Sequence, residues 1–173
     1  MLPNAGTVRA MFVIPDVPLI PQGNTMGCWY ASAQMLIQWK RGRGQATLAS
    51  NPDPSQLSET QRHHALNDGL RYSQVLALAR QLGLRPVPPQ SITLEGLEAL
   101  LVRHGPLWTH GTAHIIVIAG ADRKGDRIYV QDPWPPGVGK IEWRSYSRWF
   151  ITGNTSGSQG TSPHVEASFL YHP

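Results

Sequence analysis

The chain has 173 residues, of which 40% are hydrophobic, enough for one domain with a core of its own. Its fifteen Lys and Arg against eleven Asp and Glu give a net charge of +4, too mild to indicate a nucleic-acid partner. No apolar run is long enough to cross a bilayer, and residues 1–16 lack the pattern of a signal peptide. We therefore expect a single domain over 1–173, with 1–16 as an N-terminal arm and with neither a membrane nor a nucleic acid as partner.

The only cysteine, Cys28, follows a Gly- and Asn-containing turn at 23–27 and precedes a helix-favouring run that reaches residue 40. Cys28 is therefore predicted to open a helix, and helix N-termini stabilise thiolates. Taken alone, a single cysteine is equally explained as a small buried apolar residue. One cysteine excludes an intramolecular disulfide, which suits a reducing compartment.

The remaining elements divide into helices followed by strands. A polar connector at 42–54 is followed by predicted helices at 58–66, 73–82 and 93–104, a hairpin at 114–131, a strand at 139–143, a Gly/Ser/Thr-rich loop at 152–162 and a last strand at 165–171. The basic residues at 40–44 are interpreted as a solvated helix end that complements the helix dipole. Helices first and an antiparallel sheet second predict an α+β fold.

The hairpin brings a histidine and an aspartate together. His114 precedes the β-branched run 115–120, a polar turn covers 121–126, and the second strand ends at Asp132. Pairing the strands outward from the turn makes His114 and Asp132 neighbours. Asp132 would then fix the tautomer of the imidazole and support its charged form, as in a catalytic triad.

Other histidines are alternative bases. His110 is the main one, because a shifted strand would aim it at Cys28 instead of His114. The less favoured candidates are His104, His63 and His64. One cysteine gives no paired-thiolate spacing, and no phosphate-binding glycine loop is present, so we expect neither a metal nor a cofactor.

The stretch Gly27-Cys28-Trp29, with Gln22 six residues before the cysteine, resembles the papain-like cysteine protease superfamily. The run from residue 17 looks most like compact bacterial members, among them effector proteases of plant pathogens, double-glycine bacteriocin-processing peptidases and toxin domains of secretion systems. The resemblance covers about 17–173. It implies a nucleophile helix packed against a C-terminal antiparallel sheet.

The resemblance also implies roles for individual residues. The side-chain amide of Gln22 would share the oxyanion hole with the backbone N–H of Cys28. Asp132, followed by Pro133, fits the third triad residue, and Trp134 would shelter the His–Asp hydrogen bond from water. Trp29 and Trp134 are the candidate substrate contacts.

The implied chemistry is acyl transfer, for which we expect a cysteine peptidase acting on a protein or peptide. The same machinery can deamidate a glutamine or transfer the acyl group to an amine, and the residues do not distinguish these outcomes. The resemblance suggests an effector or interbacterial toxin, delivered by a secretion system such as type VI, silenced by an immunity protein and cleaving at Gly-Gly in a reducing cytoplasm. A leader-processing peptidase is an alternative, as is a non-catalytic peptide-binding module, against which the presence of Cys28 argues.

Overall fold

The computed structural model describes residues 11–45, 69–88, 92–110, 114–148 and 169–173. The described helices are α1 (Cys28–Gly42), α2 (Val75–Leu82, after a 3-10 turn at Tyr72–Gln74), α3 (Leu94–His104) and the single turn α4 (Tyr146–Arg148). The described strands are β1 (Met11–Val13), β2 (Arg85–Val87), β3 (Leu107–His110), β4 (Ile115–Asp122), β5 (Arg127–Asp132), β6 (Lys140–Ser145) and β7 (Phe169–Tyr171). They form one antiparallel sheet in the order β2-β7-β3-β4-β5-β6, with β1 paired to β4. The predicted α+β class is confirmed.

Helix α1 packs its apolar side on β3 and β4. The core residues that it contributes include Ala33, Met35, Leu36 and Ile37, none of them exposed. Two polar contacts fix the helix on the sheet: Ser32 Oγ donates to the carbonyl of Ile115 (3.3 Å), and Trp108 Nε1 donates to the carbonyl of Trp29 (3.1 Å). The first turn of α1 is therefore held beside the start of β4.

The other long helices are capped as their sequences indicate. The side chain of Thr93 accepts a hydrogen bond from the N–H of Gly96 (3.1 Å), which satisfies one N–H at the start of α3. Helix α2 ends at Gly83, whose φ of 67° is the left-handed conformation that glycine adopts easily. The helices predicted at 73–82 and 93–104 are thus present. The helix predicted at 58–66 and the loop predicted at 152–162 lie outside the described residues.

Three strands, β1, β2 and β3, were not predicted from the sequence. Strand β1 lies within the supposed N-terminal arm and pairs with residues 120–122 of β4. That close approach requires Gly120, because a Cβ there would lie 2.6 Å from the carbonyl oxygen of Phe12. Strand β2 contains Pro86 and occupies an edge of the sheet, where a proline is tolerated. The expected separation of helices first and sheet second is therefore wrong in detail, because the N-terminal half supplies two strands.

Strands β4 and β5 form the predicted hairpin. Their register runs from Asp122 opposite Arg127 to Val117 opposite Gln131, with an irregularity between Ile118 and Gly120. At the turn, Arg127 and Asp122 form an ion pair of 2.6 Å. Every residue of β4 is buried, so the hairpin crosses the centre of the molecule and ends at Asp132, close to the start of α1. No helix among the described residues has both the length and the apolar character needed to span a membrane.

Candidate active site

Cys28 is the first residue of α1. It is partly exposed, and its thiol is free. The N–H groups of the first helical turn have no acceptor within the helix, and the N–H of Cys28 is one of them. A helix N-terminus therefore supplies a backbone donor next to the sulfur. This combination of a nucleophile and a hydrogen-bond donor is what attack on a carbonyl requires.

His114 lies between Cys28 and Asp132. Its Nε2 donates to Asp132 Oδ1 at 2.6 Å, and its ring also forms a hydrogen bond with Cys28. Because Nε2 is hydrogen-bonded to the carboxylate of Asp132, Nδ1 is the nitrogen that faces the sulfur of Cys28. Burial lowers the pKa of His114, but the hydrogen bonds and charges of Asp132 and Cys28 outweigh it and raise that pKa to about 9. The imidazole is accordingly protonated at neutral pH.

Both carboxylate oxygens of Asp132 are hydrogen-bonded. Besides the bond from His114, Oδ1 accepts a hydrogen bond from the backbone N–H of Trp134 (2.8 Å). Oδ2 accepts a hydrogen bond from Arg144 Nη2 (2.5 Å). Burial of the side chain, which is 7% exposed, raises the pKa of Asp132. The bonds from His114, Arg144 and Trp134 more than reverse that effect and lower the pKa to about 2. Asp132 is therefore a fixed anion over the working range of most enzymes.

Arg144 is the residue of the site that sequence reasoning missed. It projects from β6. Glu142 on the same strand accepts a hydrogen bond from its Nε (2.8 Å) and forms an ion pair with its Nη2 (2.6 Å). The guanidinium is thus held between two carboxylates. Glu142-x-Arg144 at the two-residue spacing of one strand face, on the strand after Asp132, was the only sequence signal that could have found it.

Gln22 is positioned by the loop that follows Asp132. Its backbone N–H donates to the carbonyl of Pro133 (3.0 Å), and its carbonyl accepts the N–H of Gly137 (3.0 Å). Its side-chain Nε2, however, donates to the carbonyls of Asn24 (2.6 Å) and Thr25 (3.0 Å). Both amide hydrogens are thus used by the loop before Cys28, so the oxyanion role stays a prediction that requires one bond to be released.

The two tryptophans predicted as substrate contacts differ in placement. Trp29 is 1% exposed and packs into the core, so it offers substrate almost no surface. Trp134 is 43% exposed beside the site. Its contact with Asp132 is made by its backbone N–H. The shelter that its ring was expected to give the His–Asp bond stays a prediction.

Two of the alternative bases, His110 and His104, lie within the described residues. His110 is buried in β3 with its ring edge-on to Trp108, at a centroid distance of 6.1 Å. His104 ends α3 and stacks on Tyr171 at 3.9 Å. His63 and His64 lie outside the described residues. No group of potential metal ligands occurs within the part of the chain that the structure describes.

Residues 11–148 match the family model of the papain-like cysteine protease AvrRpt2. The matched range is most of the chain and contains Gln22, Cys28, His114 and Asp132. The chain belongs to this papain-like cysteine protease family. It is a cysteine peptidase, and the superfamily resemblance read from the sequence is confirmed.

A solved structure shares the fold of this papain-like protease. It is a double glycine motif protease from an AMS/PCAT transporter, in complex with the leader peptide. The TM-score is 0.50 at 21% identity, over 81% of this chain and 86% of that one. This likeness confirms the predicted papain-like arrangement of a nucleophile helix on an antiparallel sheet.

Proposed function

We propose that the chain hydrolyses peptide bonds with Cys28 as nucleophile, His114 as acid and base, and Asp132 as the residue that orients His114. The observation that carries this proposal is the position of His114, which is hydrogen-bonded to Asp132 on one side and to Cys28 on the other. The raised pKa of His114, about 9, supplies a protonated imidazole at neutral pH. That proton is what the leaving amine needs.

In the first half of the reaction, Cys28 Sγ attacks the carbonyl carbon and the C=O electron pair moves to oxygen. The N–H of Cys28 stabilises this oxyanion, joined by Gln22 once its amide releases Asn24 or Thr25. His114 gives its proton to the amide nitrogen, the electron pair on oxygen re-forms the C=O bond as the C–N bond breaks, and the amine leaves. A thioester on Cys28 remains.

In the second half, water attacks the thioester and His114 accepts its proton. The C–S bond breaks, which releases the carboxylic acid and restores the thiolate beside protonated His114. Asp132 stays ionised throughout, because its pKa of about 2 lies far below the working pH. It stabilises the imidazolium and takes no proton.

The proposed substrate is a peptide or protein segment cut after small residues such as Gly-Gly. The likeness to the double glycine motif protease supports this class. The test compares a peptide with Gly-Gly in its centre with a matched peptide that has Val-Val there. Each peptide is incubated with wild type and with Cys28→Ala, and the products are identified by mass spectrometry. We expect one cut after Gly-Gly, with wild type only. Equal cutting of both peptides would contradict the proposed specificity, and a gain of about 1 Da on glutamine without cleavage would indicate deamidation instead.

The proposed biological role is that of a bacterial effector or toxin, delivered by a secretion system and silenced in the producing cell by a cognate inhibitor. The lone cysteine, compatible with a reducing cytoplasm, supports it. Expression of wild type in a bacterial cytoplasm should arrest growth, and Cys28→Ala should not. A few new protein N-termini are expected in the arrested cells, whereas normal growth with active enzyme would favour leader processing over toxicity.

A further inference from the structure

A second concave site lies at the end of α1 opposite Cys28. Lys40 is twelve residues after Cys28, which places it about 18 Å along the helix at 1.5 Å per residue. The cavity has a volume of about 330 Å³ and lies between the last turn of α1, the last turn of α3 and residues 12–15. Four basic side chains line it, Lys40, Arg43, Arg103 and His104, and we call it the cationic pocket.

Trp39 forms a rigid wall of the cationic pocket. Its Nε1 donates to the carbonyl of Pro15 at 3.1 Å, and its side chain is largely buried. Its ring lies against Gly105, where φ is 86° and a Cβ would approach ring carbons to 2.5 Å. The guanidinium of Arg43 lies 4.6 Å from the ring centroid and the ammonium of Lys40 lies 5.8 Å from it. Cation–π contacts therefore hold both cations at the pocket.

The cations of the pocket repel one another. Burial and then the charge of Arg43 lower the pKa of Lys40, and burial, Arg103 and Lys40 lower the pKa of His104. The charge of Lys40 also lowers the pKa of His172, after the effect of burial. Among the described residues, the ion pairs between side chains all involve other basic groups: His114, Arg123, Arg127 and Arg144. A bound anion would relieve the repulsion.

We propose that the cationic pocket binds a small, multivalent phosphate anion. Lys40, Arg43 and Arg103 converge from two helices on one cavity, and their donors match phosphate oxygens. The cavity has the size of a small-molecule site. A nucleic acid would instead need a basic stripe along the surface, which four basic side chains around one cavity do not provide.

Inorganic pyrophosphate is the probe for this site. We expect saturable binding of one pyrophosphate per chain by calorimetry at fixed ionic strength, and a rise in melting temperature with its concentration. The variant Lys40→Gln/Arg43→Gln should weaken binding by about tenfold or more, because it removes two charge-assisted contacts. The control Arg85→Gln/Lys124→Gln removes the same charge from exposed residues that do not line the pocket, and it should bind like wild type.

Two further measurements keep the proposal open to refutation. If the double variant does not fold, the exposed Arg103→Gln alone should still weaken pyrophosphate binding several-fold. Absence of saturable binding, or equal weakening in the charge-matched control, would overturn the site. Phosphoinositide vesicles distinguish a lipid headgroup from a free anion as the source of the phosphate. If the protein sediments with these vesicles but does not bind soluble pyrophosphate, the assignment to a free anion is overturned.

Discussion

Arg144 should position the carboxylate of Asp132, the proposed orienting residue, without touching substrate. It donates to Asp132 Oδ2 at 2.5 Å, while His114 and the N–H of Trp134 occupy Oδ1. Removing the guanidinium in Arg144→Gln leaves a carboxylate that is 7% exposed without one of its charged partners. Asp132 should then hold the imidazole of His114 less firmly.

The size of the effect follows from the contact that is lost. A charge-assisted hydrogen bond contributes about 1.5 to 3 kcal/mol, and the lower part of that range applies because Arg144 is partly exposed to screening solvent. If about 1.5 to 2 kcal/mol is lost from the transition state, kcat/KM should fall about 10- to 30-fold, since 1.36 kcal/mol is a factor of ten. Arg144→Lys keeps the charge but not the two-sided contact with Asp132 and Glu142, so it should recover part of the loss.

The pH profile separates positioning from a general loss of stability. Arg144 helps to keep the pKa of Asp132 at about 2, below its ordinary value of 3.8. The stability that Asp132 contributes is therefore present above pH 3.8 and lost as the pH falls through about 2. In Arg144→Gln the pKa of Asp132 should rise, so the acid limb of kcat/KM should move to higher pH.

The assay is peptide hydrolysis from acid to alkaline pH, with the melting temperature measured for each variant. Arg127→Gln is the matched control, because Arg127 pairs with the buried carboxylate of Asp122 at 2.6 Å on the neighbouring strand, at the turn of the hairpin. It should cost stability and leave kcat/KM and its pH profile unchanged. A wild-type profile in folded Arg144→Gln would refute the positioning role.

Three further predictions follow from the site and the sheet. With a pKa of about 9, His114 should lose its proton as the pH rises through 9, so kcat/KM should fall there. The stability that protonated His114 contributes should be complete below pH 6.5 and be lost as the pH rises through about 9. Urea unfolding at several pH values should show this loss in wild type and not in His114→Ala. Gln22→Ala should lower turnover by roughly 10²-fold if the amide reaches the oxyanion, and unchanged turnover in a folded variant would remove it from the site. Gly120→Ala should lower the melting temperature by several degrees, because its Cβ would lie 2.6 Å from a β1 carbonyl oxygen; an unchanged value would show that β1 separates from β4 at little cost.

The juxtaposition of His114 and Asp132 was accessible from sequence because both lie on one hairpin. A two-residue period and a polar turn fix the pairing, and counting outward from that turn places the two side chains together despite the irregularity near Gly120. Cys28 was found by its uniqueness and its place at a helix start. The family assignment rested on the same local features, and it is confirmed.

The parts that sequence did not predict depend on pairings between distant segments. Strand β1 is three residues long, and nothing local shows that it lies beside Gly120. Arg144 looks like any solvent-facing basic residue of a strand until its contact with Asp132 is known. The bonds of the Gln22 amide depend on how the backbone of the next three residues turns, which a motif does not specify.

The hydrogen bond from Gln131 Nε2 to the carbonyl of Val17 (2.7 Å) joins residues 114 positions apart, and it bears on when activity arises during synthesis. A ribosome releases the thiol of Cys28 long before it makes the strands that carry Asp132 and Arg144. Contacts of such long sequence separation form late and slowly. A nascent or prematurely ended chain therefore carries the proposed nucleophile without the groups that we propose activate it. We therefore expect this peptidase to cleave no protein of the cell that makes it until the sheet has formed.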